Sequence, residues 1–160
     1  MNRYRTVRRL SATSAAYIAG IVDGEGTVTL TRHHAGENRR LAVSVANTEL
    51  PLLQYLVDEV GAGRITRKRT TCPRHTPSFC YAIWSRQALD LLQQLLPHLR
   101  SYKRRRAELA VARYRELTPR NGRYAPGQLR RRAAFERALL RLSPKHSRRL
   151  ATRSPVRTRG

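Results

Sequence analysis

The chain has 160 residues, enough for one domain with a substantial core or for one subunit of a symmetric assembly. Lys and Arg number 33 against 10 Asp and Glu, a formal charge of +23, so the surface field attracts a polyanion and nucleic acid is the expected partner. A membrane-surface protein is disfavoured because the charge runs lack Trp or Phe clusters. No stretch is long and apolar enough to span a bilayer, and two cysteines argue against a disulfide scaffold.

Residues 1 to 13 form a basic arm carrying Arg3, Arg5, Arg8 and Arg9. Ser11, Thr13 and Ser14 stand where a signal peptide would be apolar, so a soluble, intracellular protein is expected. Ser14 is the expected cap of a helix from Ala15 to about Asp23. Along it, Ala16, Gly20 and Gly24 recur every four positions, a stripe on which a second helix backbone can approach closely.

From Thr27 the period changes to two. Thr27, Thr29, Thr31 and His33 share one face, and Val28 and Leu30 the other. A turn at His34 to Asn38 leads into a return strand, Arg39 to Asn47, in which Leu41, Val43 and Val45 alternate with Arg40, Ala42, Ser44 and Ala46. Thr48 or Asn47 is the expected cap of the next helix, with Pro51 in its first turn and Leu52, Leu53, Leu56 and Val60 as its buried stripe; Gly61-Ala62-Gly63 stops it. A second strand pair follows, Arg64 to Thr70 and Phe79 to Ser85, around a loop with Pro73 and Pro77. Arg64, Thr66 and Lys68 lie on one side of the third strand and Ile65 on the other, whereas both faces of the fourth are apolar or aromatic and its inward side is open.

Ser85 is the expected cap of a helix carrying Ala88, Leu91, Leu92 and Leu95 and ending at Pro97. Leu99 to Leu117 reads as a long helix opening on Lys103-Arg104-Arg105-Arg106. Residues 118 to 142 contain a basic helix from Gln128 to about Leu142, and 143 to 160 read as a disordered basic tail. The element order predicts an α+β fold with an antiparallel sheet and its helices on one face.

Asp23 and Glu25 stand at the negative end of the first helix dipole, so something positive should offset them. Either they cap the turn and meet an arginine, or Glu25 binds Mg²⁺, which takes oxygen ligands and bridges carboxylates to phosphate. Cys72, His75 and Cys80 fall in one loop, but without a fourth ligand nearby they read as loop residues, not a zinc site.

Tyr17-Ile18-Ala19-Gly20-Ile21-Val22-Asp23-Gly24-Glu25-Gly26 resembles the signature of the LAGLIDADG homing endonucleases, with Ile18 and Ile21 in place of leucines. The resemblance covers about residues 14 to 117, through the α-β-β-α-β-β-α order, Gly61-Ala62-Gly63-Arg64-Ile65 and Arg86-Gln87-Ala88-Leu89. It implies the LAGLIDADG fold with a saddle-shaped antiparallel sheet. It also implies a homodimer whose interface is formed by Ala16, Gly20, Asp23 and Gly24, acting on a long pseudo-palindromic double-stranded DNA site.

By the same resemblance Glu25 and Gly24 would hold Mg²⁺ or Mn²⁺ and one phosphodiester per strand would be hydrolysed across the minor groove. Asn47 and Lys103, the latter four residues before Ala107-Glu108-Leu109, would support the attacking water. One extra residue between Pro97 and Ala107 leaves Arg104 or Arg100 as alternatives to Lys103. The polar sheet face, Thr29, Thr31, His33, Arg40, Ser44, Arg64, Thr66 and Lys68, is expected in the major groove. The arginines at 104 to 106 and 130 to 132, with the tail, are assigned to phosphates. A non-cleaving relative, an RNA maturase or a DNA-binding regulator, is the alternative.

Overall fold

A computed structural model describes residues 5–69, 76–120 and 122–144. Nine elements follow in order: α1 (Ala12–Glu25), β1 (Gly26–Thr31), β2 (Arg40–Asn47), α2 (Leu50–Val60), β3 (Arg64–Arg67), β4 (Phe79–Trp84), α3 (Ser85–Leu95), α4 (Tyr102–Arg113) and α5 (Pro126–Arg141). The predicted α+β order is present, and the strands form one antiparallel sheet in the order β1-β2-β4-β3. Val28, Leu30, Leu41, Val43, Val45, Tyr81 and Ile83 are buried on its inner face against α1, α2 and α3. The inward side of β4, open in the sequence pattern, is therefore that of Tyr81 and Ile83. No helix among the described residues is long and apolar enough to cross a membrane.

The helix starts differ from expectation. Ser11, not Ser14, caps α1: its Oγ accepts the Ser14 N–H at 3.1 Å, and its extended backbone stops the chain from continuing helically. Neither Asn47 nor Thr48 caps α2, which begins after Glu49, because the Asn47 side chain closes a tighter turn by accepting the Glu49 N–H at 2.8 Å. Ser85 is the first residue of α3, not its cap, and holds φ +54°. The long helix expected over Leu99 to Leu117 is regular only from Tyr102 to Arg113, capped by Ser101, whose Oγ accepts the Lys103 N–H.

Residues 5–10 are not a free arm. Arg8 N–H donates to Val60 O and its Nη1 to Asp58 O, both at 2.9 Å, capping the carbonyl end of α2. Gln94 of α3 completes the clamp, accepting the Leu10 N–H and donating to Arg8 O.

α5 is likewise no solvated basic helix. Phe135 and Leu139 are buried in the common core, and Arg132 is only 5% exposed. Its guanidinium donates to the Leu117 and Arg39 carbonyls and the Tyr124 hydroxyl, and its Nε to Glu136. Arg106 of α4 donates to Val28 O at 2.7 Å and to Leu142 O at 2.8 Å, joining the outer edge of β1 to the end of α5. Arg106 and Arg132 thus cannot serve phosphates as assigned. Buried carbonyls and an open strand edge need donors, and a guanidinium supplies five in a fixed fork.

The β3 entry depends on one glycine. Gly63 has φ +91°, and a Cβ there would stand 2.6 Å from the Tyr81 ring, whose hydroxyl donates to Ala62 O at 3.0 Å. Burial pushes the Tyr81 phenol well above its usual pKa. Gly63→Ala should lower stability by about 2–4 kcal/mol through strain and overpacking, read as an earlier urea midpoint at unchanged slope.

Candidate active site and nucleic-acid interface

α1 has two faces. Ala15, Ile18, Ala19 and Val22 are buried on the protomer's own core, while Ala16, Tyr17, Gly20 and Gly24 are exposed along the opposite side. A Cβ built at Gly20 or Gly24 would meet nothing within 4 Å. Nothing among the described residues therefore requires a glycine at either position, although glycine in a helix interior costs about 1 kcal/mol relative to alanine. Gly26 is the opposite case. A Cβ there would lie 2.7 Å from the Val22 backbone, so the turn from α1 into β1 closes only around glycine.

The two carboxylates of the motif part company at this turn. Asp23 points to the loop before α4, accepting the Arg100 N–H at 2.7 Å, the Ser101 N–H at 3.2 Å and the Ser101 hydroxyl at 2.5 Å. It fixes α4 by capping donors from a segment 77 residues away. Glu25 is exposed and makes no hydrogen bond or ion pair among the described residues.

The positive charge that the helix end required is Lys103. It is only 6% exposed, and its Nζ donates to the Val22 and Asp23 carbonyls at 2.8 Å each. Two of its three donors thus hold the last turn of α1. Desolvation lowers its pKa from the usual 10.5, opposed by Asp23 and then Glu25.

Lys103→Met should therefore cost about 2–4 kcal/mol, because the carbonyls and the nearby carboxylates lose their cation. A further signature follows from the lowered pKa. Just below pH 10.5 the unfolded chain binds more protons than the folded one, so the Lys103 contribution grows as pH rises through that window. The stability gap between wild type and Lys103→Met, measured by urea titration at several alkaline pH values, should widen upward. The alternatives Arg100 and Arg104 lie elsewhere, lining an open cavity of about 580 Å³ with Ser101, Tyr102, Arg105 and Glu108.

Asn47 ends β2. In the sheet Asn47 pairs with Phe79 of β4, two residues beyond Val45, the partner of Gly26 at the start of β1. Because its Oδ1 is held by the Glu49 N–H, its amide NH₂ is the part left for solvent.

The outer sheet face carries the predicted polar set in rows. Thr31 pairs with Arg40; Thr29 with Ala42 and Trp84; Thr27 with Ser44, Ala82 and Arg64; and Ala46 with Cys80 and Thr66. His33 and Lys68 are exposed beyond the strand ends. The structure thus gathers Thr29, Thr31, Arg40, Ser44, Arg64 and Thr66 on one surface. It adds two residues outside the predicted set, Thr27 and Trp84. Thr27 follows from the same alternation that selected Thr29. Trp84 required the register, because the β4 sequence is apolar on both sides. Cys80 is on this face; Cys72 and His75 fall outside the described residues.

The four-stranded antiparallel sheet with its helices packed on one face is the fold of the LAGLIDADG homing endonucleases. The homing endonuclease I-CvuI, in complex with its DNA target, matches with a TM-score of 0.68 at 21% identity, over 86% of each chain. The archaeal intron-encoded homing endonuclease I-Vdi141I, complexed with DNA, matches with a TM-score of 0.63 at 17% identity, over 83% of this chain and 86% of the other. The meganuclease I-SmaMI, bound to uncleavable DNA, matches with a TM-score of 0.59 at 13% identity over 78% of this chain, which spans 44% of that protein. No sequence-family profile and no curated protein matches the chain.

Proposed function

We propose that the chain is a site-specific homing endonuclease that binds double-stranded DNA as a homodimer and hydrolyses one phosphodiester in each strand. The observation that carries this reading is the open face of α1, bare at Gly20 and Gly24 and ending on exposed Glu25. Two copies packed along Ala16, Gly20 and Gly24 bring both Glu25 carboxylates to the dyad, with Asp23 at the interface end holding α4.

Glu25, with Gly24 beside it, fits a Mg²⁺ or Mn²⁺ ion that takes few protein ligands. One chain offers a single free carboxylate here, and Mg²⁺ in phosphoryl sites is held by one or two carboxylates, waters and the phosphates themselves. Bound there, the ion supplies water activation and charge neutralisation at the scissile phosphate. Lys103 fixes the last turn of α1, so the Glu25 carboxylate enters the site on a rigid support. The Asn47 amide orients solvent from the end of β2. The outer sheet face enters the major groove, and Arg100, Arg104 and Arg105 approach phosphates from their cavity.

The test is incubation of the purified protein with duplex DNA from the flanks of its gene and from randomised libraries, with Mg²⁺. A specific double-strand break supports the proposal. Binding with no break under any divalent ion overturns it in favour of a regulator, and preferential binding of RNA favours a maturase.

A further inference from the structure

Trp84 stands at the end of β4 on the outer face, between Arg40 on β2 and Arg64 on β3. Both guanidinium groups lie over its indole, with Cζ atoms 5.3 and 4.9 Å from the ring centroid. Arginines on an ordinary solvated strand face sample many rotamers. Here two of them, from strands that are not neighbours, are drawn onto one aromatic plate.

Arg40 is fixed further. Its Nε is buried with no hydrogen-bond partner among the described residues, and its Nη2 meets His33 Nε2. Its terminal nitrogens are therefore the part left to act, and they already face an sp² ring nitrogen, the acceptor type that guanine presents at N7. His33 is exposed and can be displaced. Immediately after Trp84, Ser85 adopts φ +54°, the only non-glycine residue with positive φ among the described residues. The chain thus leaves the sheet at the indole through a conformation few residues adopt, of the kind retained where a side chain must be held in place.

We infer that Trp84 is a positioning residue that presents Arg40 and Arg64 together as guanine readers, with the base taking the place of His33 on Arg40. The inference rests on the DNA-binding reading above and adds a specific content to it. Two guanidinium groups, each about 5 Å from one ring centroid, stand no more than about 10 Å apart, so each half-site should carry two guanines within about three base pairs.

The experiment is selection of bound duplexes from a randomised library by the full-length protein in the absence of divalent metal. The wild type should enrich the guanine pair. Arg40→Ala should lower preference at one of the two positions by about tenfold, and Arg64→Ala at the other. Trp84→Leu should weaken both preferences in one step, and Trp84→Phe should restore most of each. Should Trp84→Leu fail to fold, Trp84→Met provides the same comparison. The inference is overturned if the ring-less variant keeps both preferences, if it loses affinity for all sequences alike, or if the wild type enriches a site without the guanine pair. Failure of the wild type to enrich any duplex overturns the DNA-binding reading itself, and this inference with it.

Discussion

Glu25→Gln is expected to abolish strand cleavage, by about a thousandfold or more, while DNA binding is retained. The substitution keeps the shape of the side chain and removes the charge that would hold a divalent ion, whose contribution to phosphoryl transfer amounts to several kcal/mol. The fold should respond little, because Glu25 is exposed and makes no hydrogen bond among the described residues, and its field on Lys103 ranks behind that of Asp23. Binding should strengthen slightly, since one negative charge leaves a surface facing a polyanion. Gel-shift titration and a cleavage time course with the same duplex separate the two effects. Cleavage by the variant at the wild-type rate would remove Glu25 from the chemistry.

Gly20→Leu has the next largest expected effect and acts on a different quantity. In the protomer its side chain enters open space, and leucine favours a helix interior over glycine by close to 1 kcal/mol. An isolated protomer should therefore be as stable or slightly more so. The assembly should fail, because two helices packed along Ala16, Gly20 and Gly24 leave no room for a branched side chain at the crossing. Sedimentation at micromolar concentration should show dimer for the wild type and monomer for Gly20→Leu, with circular dichroism unchanged in shape. A variant that remains dimeric would place the interface elsewhere.

These two expectations rest on the part of the molecule most legible in the sequence. The Tyr17 to Gly26 stretch gave the small-residue stripe, the odd carboxylates and the fold, and period-two alternation from Thr27 to Asn47 placed the polar face correctly because that hairpin is local. The misreadings have one physical origin, in contacts made across the chain. The partners of Asp23 within the protomer, the Arg100 and Ser101 amides, were not legible, because no local pattern links them to it. Arg106 and Arg132 read as charge, because arginine count says nothing about burial. Only the Arg132, Phe135 and Leu139 spacing, one face of a helix at i, i+3 and i+7, hinted that this side of α5 turns inward. Trp84 was hidden for a related reason: its side of the sheet is set by pairing with Ala42, not by its neighbours in β4.

The role of Lys103 shows how the two levels meet. The resemblance placed a lysine near the reacting water. The structure gives its ammonium a definite task first, closing the carbonyl end of the helix that carries Glu25. A helix end braced in this way is what the proposed shared centre would require, since each carboxylate would have to be held at the dyad without a second support from its own chain.

The central claim, that interface and active centre are one feature to which each copy contributes a single Glu25, is tested most directly by mixed assemblies. Wild type and Glu25→Gln are unfolded together, refolded at a series of ratios, and assayed for double-strand cleavage with Mg²⁺ at fixed total protein. Double-strand breaks should fall with the square of the wild-type fraction. A linear fall would mean that one chain cuts both strands alone and would contradict the account.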